Sequence, residues 1–290
     1  MLAATRRGVD ILRGGGNALD AVIATVEALE NDEYFNAGYG SVLNIDGRVE
    51  MDAALMVAEA RTAGGNNGRD YVPEARAGAV AAVSRVRNPI LLARAVMETT
   101  PHILMVGAGA ERLARRAGIA LCRPDELITP RAKARWRLMF ERKLMTAETA
   151  DGREGGTVGA VAIDSRGALA SATSTGGMTG KLAGRVGDSA LIGAGVYADA
   201  SGAASATGQG EAIIMFALCR EAVRNLSMGK SAQVARATIL ELGRRTGGEA
   251  GVIIVDRRGR LGFAHNAGAM EVATFDPENG IRHYWPEPIT

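Results

Sequence analysis

Cysteine is scarce in this chain of 290 residues. Cys122 and Cys219 are too few for a disulfide scaffold. The three histidines, His102, His265 and His283, are scattered and form no metal-ligand spacing with the cysteines. The same scatter speaks weakly against a Ser-His-Asp hydrolase. No run approaches the roughly 20 apolar residues that span a bilayer. The opening "MLAATRRGVD" lacks the apolar core of a signal peptide. The expected location is therefore the cytoplasm, with no membrane partner. Neither charge sign dominates: the formal net charge is +2, which points to no nucleic-acid partner. There is no internal repeat and no low-complexity tract.

Apolar residues make up 47% of the chain and charged residues 23%, as in ordinary globular proteins. The length allows one or two domains. The 38 glycines crowd the second half together with Ala, Ser and Thr, which suggests close backbone packing and many turns. "NALDAVIATVEALEND" predicts a helix capped by Asn17, with Asp20 in its first turn. "GSVLNIDGRVEMDAALM" predicts a hairpin around Asp46-Gly47. "RNPILLARAVMETT" predicts a helix from near Pro89. "HILMVGAGAERLARRAG" reads as a short strand, a glycine turn and a helix. In the second half, "TVGAVAID" and "ALASATST" flank a turn, and "LIGAGVYAD" and "GAASATG" read as two further strands. "GEAIIMFALCREAVRNL" reads as one helix, and "SAQVARATILELGRRTGG" as another that ends at Gly247-Gly248. "AGVIIVD" and "LGFAHNAG" form a last strand pair. Helices bracketing short hairpins predict an α+β layered sandwich rather than a parallel βαβ sheet.

Two stretches invite other readings. "ILMVGAGAERLARRAG" has Gly107 and Gly109, but Arg112 stands where a third dinucleotide-binding glycine belongs. "RAKARWRLMFERK" interleaves basic residues with Trp136 and Phe140, yet a solvated face fits the balanced charge better than a nucleic-acid patch. The whole polar, basic segment 131–156 reads as a mobile linker.

The stretch that follows carries the chemistry. "REGGTVGAVAID" sets Gly155 and Gly156 directly before Thr157. A threonine hydroxyl is a weak nucleophile and needs a base. The residue's own α-amine, with a reference pKa of about 8, serves that purpose once the preceding peptide bond is cut. Glycine at 156 suits such a cut, because it tolerates strained angles and leaves its carbonyl open to attack. Taken alone, "GGT" reads rather as a turn that feeds a strand.

Downstream lie "TSTGGM", "GRVGDS", "GAGVYAD" and "TGQGE", and upstream lies "ALDAVIATVEALENDEYFNAGYGSVLN". With "GTVGAVAID", these segments resemble the plant-type L-asparaginase and isoaspartyl peptidase family of N-terminal threonine hydrolases, in the family's order and nearly its spacing. The resemblance covers most of the chain. It implies a four-layer αββα sandwich of the N-terminal nucleophile hydrolase type. It also implies one domain cut into an α subunit, 1–156, and a β subunit, 157–290. The implied reaction is hydrolysis of L-asparagine and β-aspartyl dipeptides through an acyl-enzyme.

The resemblance also assigns roles. Thr157 is the nucleophile, freed by self-cleavage after Gly156. Thr175 hydrogen-bonds to it and tunes it. Arg185 holds the substrate α-carboxylate, which a guanidinium fork matches bidentately; Asp188 binds the α-ammonium. On the residues alone, the Arg185–Asp188 pair reads rather as a surface ion pair of little worth. Thr207 and the Gly208 N–H form an oxyanion hole. Asn36 supports the site as a polar neighbour, a position also natural for a turn asparagine.

No cofactor is implied for catalysis. A structural sodium is implied, held by main-chain carbonyls of Leu29, Glu30, Asp32, Phe35, Ala37 and Tyr39; such ligands leave little side-chain signature. The expected assembly is a dimer of cleaved αβ pairs. The family's usual opening strand and "HGGAG"-like loop have no counterpart, since the chain opens at Met1 almost inside a helix. Either the start lies upstream of Met1, or the first strand is absent. A glycosylasparaginase shares "GRVGDS" and "TGQGE", but "TSTGGM" follows the asparaginase branch. An inactive, shortened relative that only binds, and a nucleotide-binding protein, are the readings from other classes.

Overall fold

The computed structural model describes residues 1–59, 75–141 and 156–290. Helix α1 (Leu2–Arg13) packs on α2 (Ala18–Glu30). The approach is close at Gly8, where an added Cβ would stand 2.4 Å from Thr25 Oγ1. Asn17 caps α2 as its sequence predicts, accepting from the Asp20 N–H at 2.7 Å.

Strand β1 (Met51–Ala58) is buried along its whole length. It pairs antiparallel with β2 (Ala75–Val83) on one side and β5 (Leu169–Thr175) on the other. Helix α3 (Pro89–Thr99) leads from β2 to β3 (Leu104–Val106), which pairs parallel with β2. Strand β4 (Val158–Ile163) completes a sheet of order β3-β2-β1-β5-β4. A second, antiparallel sheet has the order β6-β7-β8-β9: β6 (Val196–Asp199), β7 (Gly202–Gly208), β8 (Ala250–Asp256) and β9 (Leu261–His265). Strands β10 (Val272–Asp276) and β11 (Gly280–Tyr284) form a separate pair.

The two large sheets touch through β1, β4 and β5 on one side and β6, β7 and β8 on the other. Small residues allow this contact. Ser171 Oγ donates to the Ala204 carbonyl at 2.6 Å, and Thr173 Oγ1 reaches the Gly195 carbonyl at 2.9 Å. These two buried hydroxyls thus find partners across the interface. Helices α2 and α3 pack on the larger sheet. On the smaller sheet lie α7 (Leu218–Arg224) and α8 (Ser231–Thr246). The fold is α+β with several sheets. Among the described residues no helix is long and apolar enough to cross a membrane. Both cysteines are free.

Three expectations need correction. The turn at Asp46-Gly47 forms, and Asn44 N–H donates to the Arg48 carbonyl at 2.8 Å, but only the Leu43–Val49 bridge flanks it. Strand β1 is buried on both faces, so it joins β2 and β5 instead of closing a hairpin with residues 41–45. The linker 131–156 is partly helix: α5 (Pro130–Glu141) turns Ala132, Trp136 and Met139 inward and leaves Lys133, Arg137 and Glu141 exposed. Trp136 Nε1 donates to the Asn44 carbonyl at 2.8 Å, which anchors that helix. Residues 142–155 of the expected linker lie outside the described residues. The helix expected over "GEAIIMFALCREAVRNL" breaks at Ala217 (φ 54°, ψ 50°) into α6 (Gly210–Phe216) and α7. The strand, glycine turn and helix around Gly107 form as expected: β3 leads into α4 (Gly107–Arg116), with Gly107 at φ 49°.

Candidate active site

Thr157 immediately precedes β4, and Thr175 ends β5. The two strands are antiparallel neighbours, with Val158 opposite Ser174. This register brings the two hydroxyls together: Thr157 Oγ1 donates to Thr175 Oγ1 at 2.9 Å. Thr175 Oγ1 also accepts from the Gly177 N–H at 3.0 Å. With both donors aimed at it, the Thr175 hydroxyl stays fixed next to Thr157.

Asn36 ties three segments to this pair. Its N–H donates to the Gly156 carbonyl, and its own carbonyl accepts from the Gly176 N–H, each at 3.1 Å. Its side-chain Nδ2 donates to the Gly177 carbonyl at 2.6 Å, and its Oδ1 accepts from the Val42 N–H at 3.0 Å. Gly176 sits so tightly that a Cβ would lie 2.6 Å from Asn36 Oδ1. Thr207, near the end of β7, faces the same place, since a Cβ on Gly156 would stand 3.8 Å from Thr207 Oγ1. Gly208 has φ 132°, and a Cβ there would meet the Glu249 carbonyl at 2.5 Å. Only glycine is accommodated without strain at that position. A cavity of about 100 Å³, lined in part by Gly156, Thr157, Thr207, Met270 and Trp285, opens beside the threonines.

Arg185 and Asp188 form a second group. Asp188 begins a short 3-10 turn (Asp188–Ala190) that packs against β5 and β7. Both side chains converge on Gly210, whose Cβ would lie 2.6 Å from Arg185 Nη2 and 3.1 Å from Asp188 Oδ1. Asp188 is buried, and its Oδ2 has no hydrogen-bond partner among the described residues. Burial pushes its carboxyl up to about 7; Arg185 pulls the other way, and Asp52 and Glu211 add to the rise. The pair is no surface ion pair, because the Arg185 side chain is only 16% exposed.

Sequence reasoning missed Arg185's partner. Its Nε and Nη2 donate to the two carboxylate oxygens of Glu211, at 3.0 and 2.9 Å. That hydrogen bonding holds the Glu211 carboxyl below its ordinary range. The fork is thereby fixed along one edge, and its Nη1 side remains for another anion. Glu211 lies in "TGQGE", but nothing local in that motif names its partner 26 residues away. Also missed were the contacts that Glu50 makes with Lys181 and Gly184, and Asp52 with Gly187, in the segment that carries Arg185. Behind Thr175, the Ser174 hydroxyl donates to Glu30 Oε1 at 2.6 Å, and the Ile90 N–H donates to the same oxygen at 3.0 Å. Burial raises the Glu30 carboxyl to about 8. Among the described residues no group of three or more His, Cys, Asp or Glu could hold a metal ion. The backbone of the expected sodium loop is folded tightly on its carbonyls. Added Cβ atoms at Gly38 and Gly40 would lie 2.4 Å from the Glu30 carbonyl and 2.0 Å from that of Phe35.

A family model described as asparaginase matches residues 1–284. The chain is 46% identical over 259 residues to the isoaspartyl peptidase/L-asparaginase of Mus musculus, covering 88% of this chain and 74% of that protein. It is 45% identical over 264 residues to the Homo sapiens protein of the same name, covering 89% and 80%. It is 41% identical over 285 residues to the plant-type L-asparaginase of Pyrococcus abyssi, covering 92% and 87%. The chain belongs to the asparaginase family, as the sequence motifs lead one to expect, and it is an enzyme of the hydrolase class.

Proposed function

We propose that this enzyme hydrolyses L-asparagine and β-aspartyl dipeptides after cutting itself between Gly156 and Thr157. The observation that carries this reading is the Thr157–Thr175 hydroxyl pair at 2.9 Å, with Thr157 directly after a Gly156 carbonyl that accepts from the Asn36 N–H. In maturation, Thr157 Oγ1 attacks the Gly156 carbonyl carbon, and the Asn36 N–H at 3.1 Å supports the developing oxyanion. The C–N bond breaks, the peptide becomes an ester, and water hydrolyses it to a Gly156 carboxylate and a free Thr157 amine.

That amine, with a reference pKa of about 8, then acts as the base for the Thr157 hydroxyl. The substrate's α-carboxylate lies on Arg185 and its α-ammonium on Asp188. Its side-chain amide carbonyl faces Thr157, with Thr207 Oγ1 and the Gly208 N–H as the oxyanion hole. Attack expels ammonia, or the amine of the second residue of a dipeptide, and leaves an aspartyl ester on Thr157. Water releases aspartate. The names of the relatives support this substrate class.

The rest of the reading follows the same family pattern. The described contacts, with helices outside two facing sheets, support a four-layer αββα sandwich. The domain divides at the cut into residues 1–156 and 157–290. A sodium ion would be held by the carbonyls of Leu29, Glu30, Asp32, Phe35, Ala37 and Tyr39. It would stiffen the turn that presents Asn36, and the glycine-packed carbonyls of Glu30 and Phe35 fit that use. The assembly is a dimer of cleaved pairs, and its location is the cytoplasm. The test compares the wild type with Thr157→Ala, using L-asparagine and β-aspartyl dipeptides. Wild-type turnover with none in the variant is expected; turnover in Thr157→Ala would contradict the mechanism.

A further inference from the structure

The loop from Gly176 to Gly187 carries Arg185 and leads into Asp188. It holds five glycines, at 176, 177, 180, 184 and 187, and its Leu182 is 69% exposed. Such a segment has wide conformational freedom unless it is tied down. Two residues at the head of β1 tie it at three points. Lys181 Nζ donates to the Glu50 carbonyl at 2.8 Å, and the Gly184 N–H donates to Glu50 Oε2 at 3.0 Å. The Gly187 N–H donates to Asp52 Oδ2 at 3.1 Å.

Asp52 has no exposed surface. Its other oxygen, Oδ1, accepts from the Ala82 N–H at 2.9 Å, where Ala82 takes φ 51° and the β1–β2 register shifts. In the β1–β5 ladder Asp52 lies directly opposite Thr175. One buried carboxylate therefore links the strand position of the threonine pair to the loop of the Arg–Asp reader. Lys181, also buried, adds a positive charge near Asp52. None of the hydrogen bonds described for Gly156 or Thr157 involves Glu50, Asp52 or Lys181.

We propose that Asp52, seconded by Glu50, is a positioning residue that sets the distance between Arg185–Asp188 and Thr157–Thr175, and so governs affinity for the amino-acid end of the substrate without taking part in self-cleavage. This rests on the function proposed above. Asp52→Asn keeps the shape but turns one acceptor into a donor, so either Ala82 or Gly187 loses its partner. Glu50→Ala removes only the acceptor for Gly184.

The experiment measures three quantities in wild type, Asp52→Asn and Glu50→Ala: self-cleavage by intact mass, L-aspartate affinity by calorimetry, and kcat and KM for L-asparagine. Cleavage proceeds in all three. Asp52→Asn raises the L-aspartate Kd and the L-asparagine KM by about tenfold or more, with kcat within about threefold. Glu50→Ala shifts the same constants by a smaller factor. Should Asp52→Asn not fold, Glu50→Ala decides, because its side chain is half-buried and ties only the loop. Unchanged Kd and KM in the folded variants, or loss of self-cleavage in Glu50→Ala, overturns the proposal. A wild type that neither binds L-aspartate nor turns over L-asparagine overturns the functional reading, and this inference with it. A wild type that binds while both variants bind equally well overturns this inference alone.

Discussion

The Asn36 N–H points at the Gly156 carbonyl from 3.1 Å, on the residue immediately before Thr157. The same asparagine braces Gly176 and Gly177, and through Gly177 it braces the hydroxyl of Thr175. Asn36 thus contacts both the Gly156 carbonyl, at the proposed cut, and the segment that holds the Thr175 hydroxyl beside Thr157.

Asn36→Ala removes both side-chain ties and leaves the Val42 N–H and the Gly177 carbonyl to find other partners. A loss of about 1–3 kcal/mol in stability is expected from such unsatisfied groups. Because the turn no longer holds its N–H on the carbonyl, self-cleavage slows by about tenfold or more. Time-resolved gels and thermal denaturation measure the two effects. Cleavage at the wild-type rate would show that Asn36 plays no part in it.

Arg185 is engaged along its Nε–Nη2 edge by Glu211, and in the proposed reaction the rest of the fork takes the substrate carboxylate. Lysine keeps the charge but not the fork. Arg185→Lys is expected to raise KM for L-asparagine by roughly 10- to 100-fold, a loss typical of one charge-assisted bidentate contact. Arg185→Ala raises it further, and both variants still cleave themselves. Wild-type KM values in both would reverse the proposed substrate orientation.

Asp188 titrates near neutrality because burial raises its carboxyl from 3.8 to about 7. The native state therefore favours its protonated form. The stability this contributes is complete below about pH 4 and is lost as pH rises through about 7. Asp188→Asn removes that descent, so its melting temperature falls less than that of wild type between about pH 4 and 7. Ligand binding runs the opposite way. An ammonium needs the carboxylate, so L-aspartate affinity in wild type weakens as pH falls below about 7, with proton release on binding. Calorimetry in buffers of different ionisation enthalpy reads that proton. Identical pH profiles in wild type and Asp188→Asn would contradict this role.

The motifs that gather the site are short and local, which is why they can be read from sequence. "GGTVGAVAID" and "TSTGG" fall on neighbouring strands, so Thr157 and Thr175 meet through one antiparallel register. "GRVGDS" and "TGQGE" bring Arg185 and Asp188 to Gly210. Strand β2 escaped notice because "ARAGAVAAV" is built from small residues with no alternation. Helix α5 lies in a basic segment, where Ala132, Trp136 and Met139 are apolar residues turned inward among charged neighbours. The break at Ala217 carries neither glycine nor proline. The contacts of Glu211, Glu50, Asp52 and Lys181 join residues 26 to 135 positions apart, and no local pattern announces such pairs.

The bond between Gly156 and Thr157 is the centre of the account, and its fate is directly measurable. The purified wild-type chain is incubated at neutral pH, and its intact mass is followed together with that of Thr157→Ala. The account predicts two fragments from the wild type, the second beginning at Thr157, and one unbroken chain from the variant. A wild-type chain that stays whole while hydrolysing L-asparagine, or a variant that is cut at the same bond, would contradict it.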